Sequence, residues 1–531
     1  MKILIAEPLA PAGVQMLKAQ PGWEVIVSNP KEYQQHLPEA GALLVRSAVK
    51  VNADVLSKAP NLRVIGRAGV GVDNVDLPAA TAAGVLVMNT PGGNAVSVAE
   101  HTFGLMLAMA RSVPQASAST KGGKWEKKKF LGSELRGKTI GIIGLGSIGR
   151  EVVKRARAFD MRIIASDPYV SSQTAVDLNI DLVDLKTLFK QSDYISLHMA
   201  LTPETEHLLS KAAFDQMKKG VRIVNCARGE LIDGPALAEA MAEGKVAGAG
   251  LDVFSTEPPK EGDPLLAQET LVATPHIGGS TEEAQEIVGI RVVEQLIEYL
   301  KNGIIINAVN MPAISPEQYK TLGPYVELAE RLGNFAAYVS TGNPKSVRLT
   351  YFGRIAESNT SLIRNAGIAG VLNRSLSRKA NLVNALQLAS ERGWDIHQHH
   401  ETQRIGHIES IRLELETDSG TTMVEGSVVL GKPRLIQVDG IYCEAPLSGH
   451  ITFLKNEDVP GVIGYVGSVL GKNGVNVANF SLGRQEKPLG EGVPLEAVSV
   501  IETDTVVPDA ILVELLKNQA IRMARPVEFP A

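Results

Sequence analysis

The chain has little of what marks several whole classes of protein. Among 531 residues there are only two cysteines, Cys226 and Cys443. No disulfide framework can be built from them, and a reducing, cytoplasmic setting is expected. No apolar run approaches the roughly 20 residues that a membrane-spanning helix requires. The most apolar helical stretch, "TFGLMLAMA", is bounded by His101 and Arg111. At the start, "MKILIAEPLAPAG" holds a short apolar run cut by Pro8, which reads as a strand and a turn and not as a signal-peptide core. Neither sign of charge dominates. The 53 Lys and Arg against 58 Asp and Glu leave a net charge of -5, which gives no electrostatic basis for a nucleic-acid or membrane partner. Short-period repeats and low-complexity tracts are missing too.

What is present is an ordinary globular composition, 44% hydrophobic and 21% charged, in a chain long enough for about three or four domains. Residues 1–95 alternate short β-branched or Leu-rich runs ("KILIAE", "EVIVS", "ALLVR", "LRVIGRAG", "LVMNTP") with helical segments, which predicts a parallel α/β unit. A long helix over "VSVAEHTFGLMLAMARSVPQAS" follows. A second α/β unit opens at Lys138 and runs through "YISLHM", "RIVNCAR", "VAGAGLDVF" and "LVATPHIGG". Another long helix, "EEAQEIVGIRVVEQLIEYLKNG", then leaves the alternation. Two such helices bracketing a complete unit predict that the second unit is inserted into an interrupted first one. After a Pro-punctuated break at "INAVNMPAISPEQYK" the pattern changes to helices over "YVELAERLGNFAAYV" and "ANLVNALQLASERG", with alternating strands. The last segment, from near His450, reads strand, helix, strand, strand, helix, strand.

The second unit begins "TIGIIGLGSIGREVV". Gly144, Gly146 and Gly149 stand in G-x-G-x-x-G spacing between an apolar strand and a helix. The first glycine allows the tight turn, the second the approach of a pyrophosphate, and the third close helix–strand packing. Alone the motif is weak; here the next strand, "RIIASD", also falls in place and ends in Asp167. A carboxylate there suits the ribose hydroxyls and repels a 2′-phosphate, so NAD is expected over NADP.

Three later strands of this unit end in chemistry-bearing residues: "VNCARGELID" with Arg228, "LDVFSTEP" with Glu257 and "ATPHIGGST" with His276. Ligands of open parallel sheets bind outside the carboxyl ends of the strands, so the three could share one crevice. Oxidising a 2-hydroxy acid needs a base for the hydroxyl proton, a carboxylate to orient that base, and a cation for the acid group. Each residue taken singly has a plain reading, as a lone His, a surface Glu and a helix-capping Arg.

Together these stretches resemble the D-isomer-specific 2-hydroxyacid dehydrogenases. "LLVRSAVKV", "VIGRAGVGVDNVDLPAAT" and "VMNTPGGNAVSVAEHT" extend the likeness to the N-terminal third. Over essentially its whole length the chain is similar to the family's long branch, which has an intervening domain and a C-terminal ACT-type regulatory domain. The fold so implied is α/β: two doubly wound, Rossmann-like parallel-sheet domains, the cofactor domain inserted into the substrate domain, then an α+β intervening domain and a βαββαβ ACT-type domain. The boundaries expected are 1–95 with 285–312 for the substrate domain, 96–284 for the NAD-binding domain, 313–448 for the intervening domain and 449–531 for the regulatory domain. The implied reaction is oxidation of 3-phospho-D-glycerate to 3-phosphooxypyruvate with NAD, the first step of L-serine synthesis, in a homotetramer. Rivals are a hydroxypyruvate or glyoxylate reductase, which generally lacks the C-terminal third, and a dinucleotide-sensing, corepressor-like binding protein.

By this resemblance Arg228, Glu257 and His276 form the catalytic triad. Arg46, Arg67, Gly69 and Val70, with Arg228 and His276, would meet the substrate. Besides the three glycines and Asp167, the cofactor would contact Val70, Ser147, Ile148, Met199, Cys226 and Ala227. Arg228, Asp252, His276, Gly278 and Gly279 would complete that set. The lysines Lys124, Lys127, Lys128 and Lys129 are either phosphate ligands or a solvated face. In the last segment Asn456 and Asp458 are expected in the loop before a helix and Asn476 at the start of the next strand, where paired domains would hold serine.

Some positions depart from the family's usual pattern. Ser147 stands where Arg is frequent, "HMALT" at His198 lacks a frequent Pro, and Asp160 occupies a helix-end site where Gly is usual and a left-handed backbone is expected. The group His397, His399 and His400 reads as a hydrated loop and not as a metal site. His101 reads as a core or interface histidine. Arg374, Arg378, Lys379, Lys432 and Arg434 make either an anion site or an exposed face.

Overall fold

A computed structural model describes residues 1–312, 316–376, 380–402, 409–487 and 494–529. The first unit is a five-stranded parallel sheet of β1 (Lys2–Ile5), β2 (Glu24–Val27), β3 (Ala40–Val45), β4 (Val64–Arg67) and β5 (Leu86–Met88), in the order β2-β1-β3-β4-β5. Helices cover both faces of such a sheet, so its inner strands carry unbroken apolar runs. All six residues of β3 are buried.

The second unit is a seven-stranded parallel sheet. It comprises β6 (Thr139–Ile143), β7 (Arg162–Ser166), β8 (Asp181–Leu182), β9 (Tyr194–Leu197), β10 (Val221–Asn225), β11 (Val246–Leu251) and β12 (Leu271–Ala273). Their order is β12-β11-β10-β9-β6-β7-β8. The direction of winding reverses between β6 and β9, which is where such sheets open a ligand crevice.

The insertion is visible in the packing. Helix Ala95–Arg111 buries Val98, Phe103, Met106 and Met109 in one cluster with Ile140, Ile142 and Val152 of the second unit. Helix Glu282–Asn302 returns to the first unit, where Val288, Val292, Val293 and Leu296 join Ile3, Ile5 and Leu44. The chain then seals β5: Val309 N–H donates to the Val87 carbonyl, and the Asn310 side chain bonds Val87 N–H and Val85 O. The single helix expected over "VSVAEHTFGLMLAMARSVPQAS" is two. Ser112, at φ 49°, ends the first, and Pro114 sits in the first turn of the second, Val113–Lys121. Asp160 has the expected left-handed backbone, at φ 52°.

The third unit has a six-stranded sheet: β13 (Pro344–Phe352), β14 (Asp395–Glu401), β15 (Ser410–Thr417), β16 (Gly420–Val429), β17 (Lys432–Val438) and β18 (Ile441–Pro446), in the order β14-β13-β15-β16-β17-β18. Helices Pro316–Val339 and Ser361–Leu372 cross so closely that a Cβ on Gly333 would lie 2.1 Å from the Gly367 carbonyl oxygen. Three expectations change here. The long helix starts at Pro316, ahead of the expected Tyr325, and carries Pro324 within it. The helix over "ANLVNALQLASERG" shrinks to Ala385–Glu391, because the side chains of Asn381 and Asn384 bond the backbone of residues 381, 383 and 384 in a turn. The "DIHQHHE" segment is the edge strand β14 and no loop, since parallel pairing with β13 satisfies its backbone on one side.

The fourth unit comprises β19 (His450–Glu457), helix Val462–Lys472, β20 (Val477–Arg484), β21 (Glu496–Thr503), helix Asp509–Leu515 and β22 (Ile521–Glu528). This is the expected βαββαβ order, with an antiparallel sheet β20-β21-β19-β22. One face of that sheet lies on the third unit. Ile451, Phe453, Val498 and Val500 share a core with Leu328, Leu332 and Phe335, and the rings of Phe335 and Phe453 meet edge-on at 5.5 Å. The third unit also touches the first: Asn381 Nδ2 donates to the Gly84 carbonyl at 2.7 Å, and Leu382 and Met311 pack against both cores.

Among the described residues no helix is long and apolar enough to cross a membrane.

Candidate active site

The glycine turn after β6 has the geometry its spacing asks for. Gly144 sits at φ 94°, and a Cβ there would lie 2.6 Å from the His198 carbonyl oxygen. A Cβ on Gly149 would lie 2.1 Å from the Gly144 carbonyl oxygen, so helix Ser147–Ala158 can start this close to the strand only with glycine. A Cβ on Gly146, by contrast, would meet nothing within 4 Å. An open approach, a helix N-terminus and a carboxylate at the end of β7 fit a dinucleotide. In the chain itself Asp167 accepts from Leu145 N–H at 2.7 Å and Tyr169 N–H at 2.8 Å, which anchors the turn.

Across the switch point, Met199 follows β9 beside Gly144. His198 is half-buried; desolvation pushes its imidazole down to about 3, so it stays neutral and pairs with the Ser196 hydroxyl. Cys226 and Ala227 are buried beyond the end of β10, and burial pushes the Cys226 thiol up to about 12, which rules out a thiolate nucleophile at neutral pH. Ser147 lies against Gly92, and Ile148 packs on the neighbouring core.

Beyond β11 and β12 the structure brings Glu257 and His276 together, with Nδ1 and Oε2 2.8 Å apart. A carboxylate only accepts, so Nδ1 carries the proton and Nε2 presents its lone pair. His276 itself has φ 54°, an uncommon backbone state for a non-glycine residue that recurs at active sites. It is imposed by Asp252, which is 1% exposed. The Asp252 carboxylate accepts from Thr274 Oγ1 at 2.6 Å, Ile277 N–H at 2.9 Å and Gly278 N–H at 2.7 Å, with His101 Nε2 at 3.2 Å. Burial opposes the charge, yet these hydrogen bonds hold its acid down at about 2. Asp252, expected as a cofactor contact, therefore has both oxygens engaged by the protein. His101 serves the same network, bonding Thr274 Oγ1 at 2.9 Å. Gly279 leaves room for Asn94, whose Nδ2 would lie 2.7 Å from a Cβ there. An apolar cleft of about 390 Å³, walled by Phe254, Pro258, Pro259 and Pro275, adjoins the His276–Glu257 pair.

The first unit supplies cations from the carboxyl ends of β3 and β4. Arg46 follows β3, in a loop whose N–H groups at 46, 48 and 49 all donate to the buried Glu7 carboxylate, at 2.8, 3.1 and 2.9 Å. Asn74 Nδ2 holds the carbonyls of Arg46 and Val49. Arg67 is half-buried, and burial together with the nearby Arg228 lowers its pKa from the usual guanidinium value. Gly69 and Gly71 make space for guanidinium groups: a Cβ on Gly69 would fall on Arg67 Nη1, and one on Gly71 would lie 1.9 Å from Arg228 Nη2. Gly69 N–H is already engaged by Thr90 Oγ1 at 2.8 Å, while the Val70 carbonyl accepts from Asn89. Arg228 crosses to this unit and pairs with Asp73 at 2.7 Å.

Other candidates lie elsewhere. Lys129 and Lys124 border a cavity with Gly248 and Thr270, at the amino ends of β11 and β12, while Lys127 and Lys128 fall in the exposed turn Lys127–Phe130. Within one chain the lysine run thus lies at the opposite end of the sheet from the crevice. In the third unit Arg374 donates to the Ala337 carbonyl and Arg434 pairs with Glu444, while Arg378 and Lys379 lie outside the described residues. In the fourth unit Asn456 is buried within β19 and not in a loop, because pairing with Ala497 extends the strand past it. Asp458 pairs with Arg484 near Leu495, whereas Asn476 bonds Asp504 beyond the other end of β21. One chain does not bring these three together.

The D-isomer specific 2-hydroxyacid dehydrogenase NAD binding domain matches residues 103–278, and the D-3-phosphoglycerate dehydrogenase intervening domain matches residues 321–439. D-3-phosphoglycerate dehydrogenase of Methanocaldococcus jannaschii is 43% identical over 96% of this chain and 97% of its own length. The chain belongs to the D-isomer specific 2-hydroxyacid dehydrogenase family. The D-3-phosphoglycerate dehydrogenase of Archaeoglobus fulgidus is 41% identical over the full length of both chains. An NAD-dependent formate dehydrogenase of Staphylococcus aureus, solved with NAD, is 30% identical with a TM-score of 0.53, covering 59% of this chain and all of its own.

This dehydrogenase is an NAD-dependent enzyme. Around the candidate site the structure also places Glu7, Asp73, Asn74 and Thr274, which the sequence pattern does not single out. Asp73 lies inside the quoted "GRAGVGVDNVD", where an acid amid a cationic loop is the one signal that could have marked it.

Proposed function

We propose that the dehydrogenase oxidises 3-phospho-D-glycerate to 3-phosphooxypyruvate, the first step of L-serine synthesis. The observation that carries this is the 2.8 Å His276–Glu257 pair in a chain whose full-length relatives are D-3-phosphoglycerate dehydrogenases. NAD, when bound in the glycine crevice, supplies the acceptor for the hydride that leaves the carbinol carbon. His276 Nε2 takes the hydroxyl proton, and Glu257 fixes the ring and balances the positive charge that results. Arg228 grips the substrate carboxylate in a bidentate pair, while Arg46 and Arg67 attract the phosphate. In this reading residues 1–95 and 285–312 are the substrate domain, 96–284 the NAD domain, 313–448 the intervening domain and 449–531 a regulatory domain.

The reading extends to a cytoplasmic homotetramer with serine as an effector. Two buried, unpaired cysteines and the exposed side chains of Trp125, Leu131 and Val113 support a reducing setting and self-association. Asn456, Asp458 and Asn476 could meet one serine only across two copies, and the buried Asn456 Oδ1, which has no hydrogen-bond partner among the described residues, supports that arrangement.

NADH formation over a panel of 2-hydroxy acids, with and without serine, tests the proposal. Phosphoglycerate should give the highest kcat/KM and serine should depress it. Preference for an unphosphorylated acid would overturn the substrate assignment, and indifference to serine the effector.

A further inference from the structure

We infer that Asp73 is a positioning residue for the reaction: it holds Arg228 across the cleft between the two parallel-sheet units, so that one edge of the guanidinium is fixed and another is left for substrate. The inference rests on the reading that Arg228 binds the substrate carboxylate.

A guanidinium carries five N–H groups in a planar fork. Arg228 Nε donates to Asp73 Oδ1 at 3.2 Å and Nη2 to Asp73 Oδ2 at 2.7 Å, a bidentate pair along the side edge. Nη1 donates to the Ala227 carbonyl at 2.6 Å, which ties the group to its own backbone. Three N–H groups are thus committed. What remains is one N–H on Nη1 and one on Nη2, and when Nη1 turns its inner hydrogen toward Ala227 these two form the parallel end-on pair that a second carboxylate takes.

The ends of this contact come from different units. Asp73 belongs to the loop after β4, whose neighbour Asn74 also braces the Arg46 loop. Arg228 follows β10 of the cofactor unit. One short segment therefore sets both the Arg46 backbone and the Arg228 plane, and with them the distance between the cations that would hold the two ends of a phosphorylated hydroxy acid. Gly71 is required by the same contact, since a Cβ there would lie 1.9 Å from Arg228 Nη2. The Asp73 side chain is 65% exposed, so the pair adds little to folding stability and its role is geometric.

The test compares Asp73→Ala and Asp73→Asn in the full-length enzyme, alone and combined with Arg228→Lys. Asp73→Ala should raise KM for phosphoglycerate by about tenfold and Asp73→Asn by about threefold, with KM for NAD within about twofold of the parent. Thermal denaturation should stay within a few degrees of the parent. In the Arg228→Lys background Asp73→Asn should add nothing further, because the fork it aligns is gone. An unchanged or lowered substrate KM in the single variants overturns the inference, a lowered value showing that Asp73 competes with substrate for the guanidinium. If Arg228→Lys alone leaves substrate KM unaltered, the carboxylate role of Arg228 falls as well.

Discussion

The two parallel-sheet units place different groups at the same topological point. After β6 the chain turns at Gly144 and leaves open space around Gly146. After β1, the first strand of the other unit, comes Glu7, whose carboxylate collects the N–H groups of residues 46, 48 and 49. One turn is kept vacant for the charge of a ligand, whereas the other has an anion built in. Backbone amides that could cradle a phosphate instead close on a side chain, and the loop they belong to becomes a rigid mount for Arg46. The cofactor unit repeats that second device away from its glycine turn. There Asp252 collects the amides of Ile277 and Gly278 and so mounts His276. Architecture alone does not distinguish a binding turn from a plugged one; the residue after the strand does.

The largest effect expected along this contrast is on the mounted group itself. His276→Ala should lower turnover by about 10²–10⁴ while NAD still binds, read by steady-state rates and by cofactor titration. Retention of near-parent turnover would remove the imidazole from the chemistry.

Next is the Asp252 mount. Its folded-state pKa of about 2 lies below the ordinary 3.8, so its contribution is complete above pH 3.8 and fades as pH falls toward 2. The difference amounts to about 2 kcal/mol. Urea unfolding should show Asp252→Asn less stable by about that much at pH 7, with the gap to the parent closing below pH 3.8. A gap independent of pH would mean that the carboxylate charge contributes nothing.

Smallest is the plug. Glu7→Gln keeps one acceptor oxygen but brings N–H groups against the loop amides. It should raise KM for phosphoglycerate about threefold to tenfold and leave the NAD constant unchanged. A matching rise in the NAD constant would show that the two units are not separately mounted.

Much of the fold was legible because strands buried on both faces read as unbroken apolar runs, as "TIGII" and "AGALLV" do. The glycine turn was legible because its spacing is fixed by local geometry. The triad is what the resemblance implies, and the structure sets two of its expected members, His276 and Glu257, 2.8 Å apart. What stayed hidden depends on distant partners. "DIHQHHE" has no apolar alternation, since an exposed edge strand has no face to bury, and only β13 makes it a strand. Asn456 was set in a loop because strand ends are fixed by the neighbouring strand, here β21. Glu7 acts on a loop some forty residues away and Asp73 on one 155 residues away, separations that no local pattern encodes.

The hydrophobic layer between the third and fourth units determines how the C-terminal half responds to heat and to ligands. With Phe335 against Phe453, neither unit can melt without exposing the other's interior. The two therefore form a single foldon, expected to give one calorimetric transition and one block of slow amide exchange. An effector bound at the rim of the last sheet would raise the melting temperature of both. This foldon bears on the first unit through the Asn381–Gly84 contact, at the turn that leads into β5, and through Leu382 and Met311, which pack against both cores. That makes the C-terminal half a lever with one cooperative body that rests on the five-stranded sheet of the first unit.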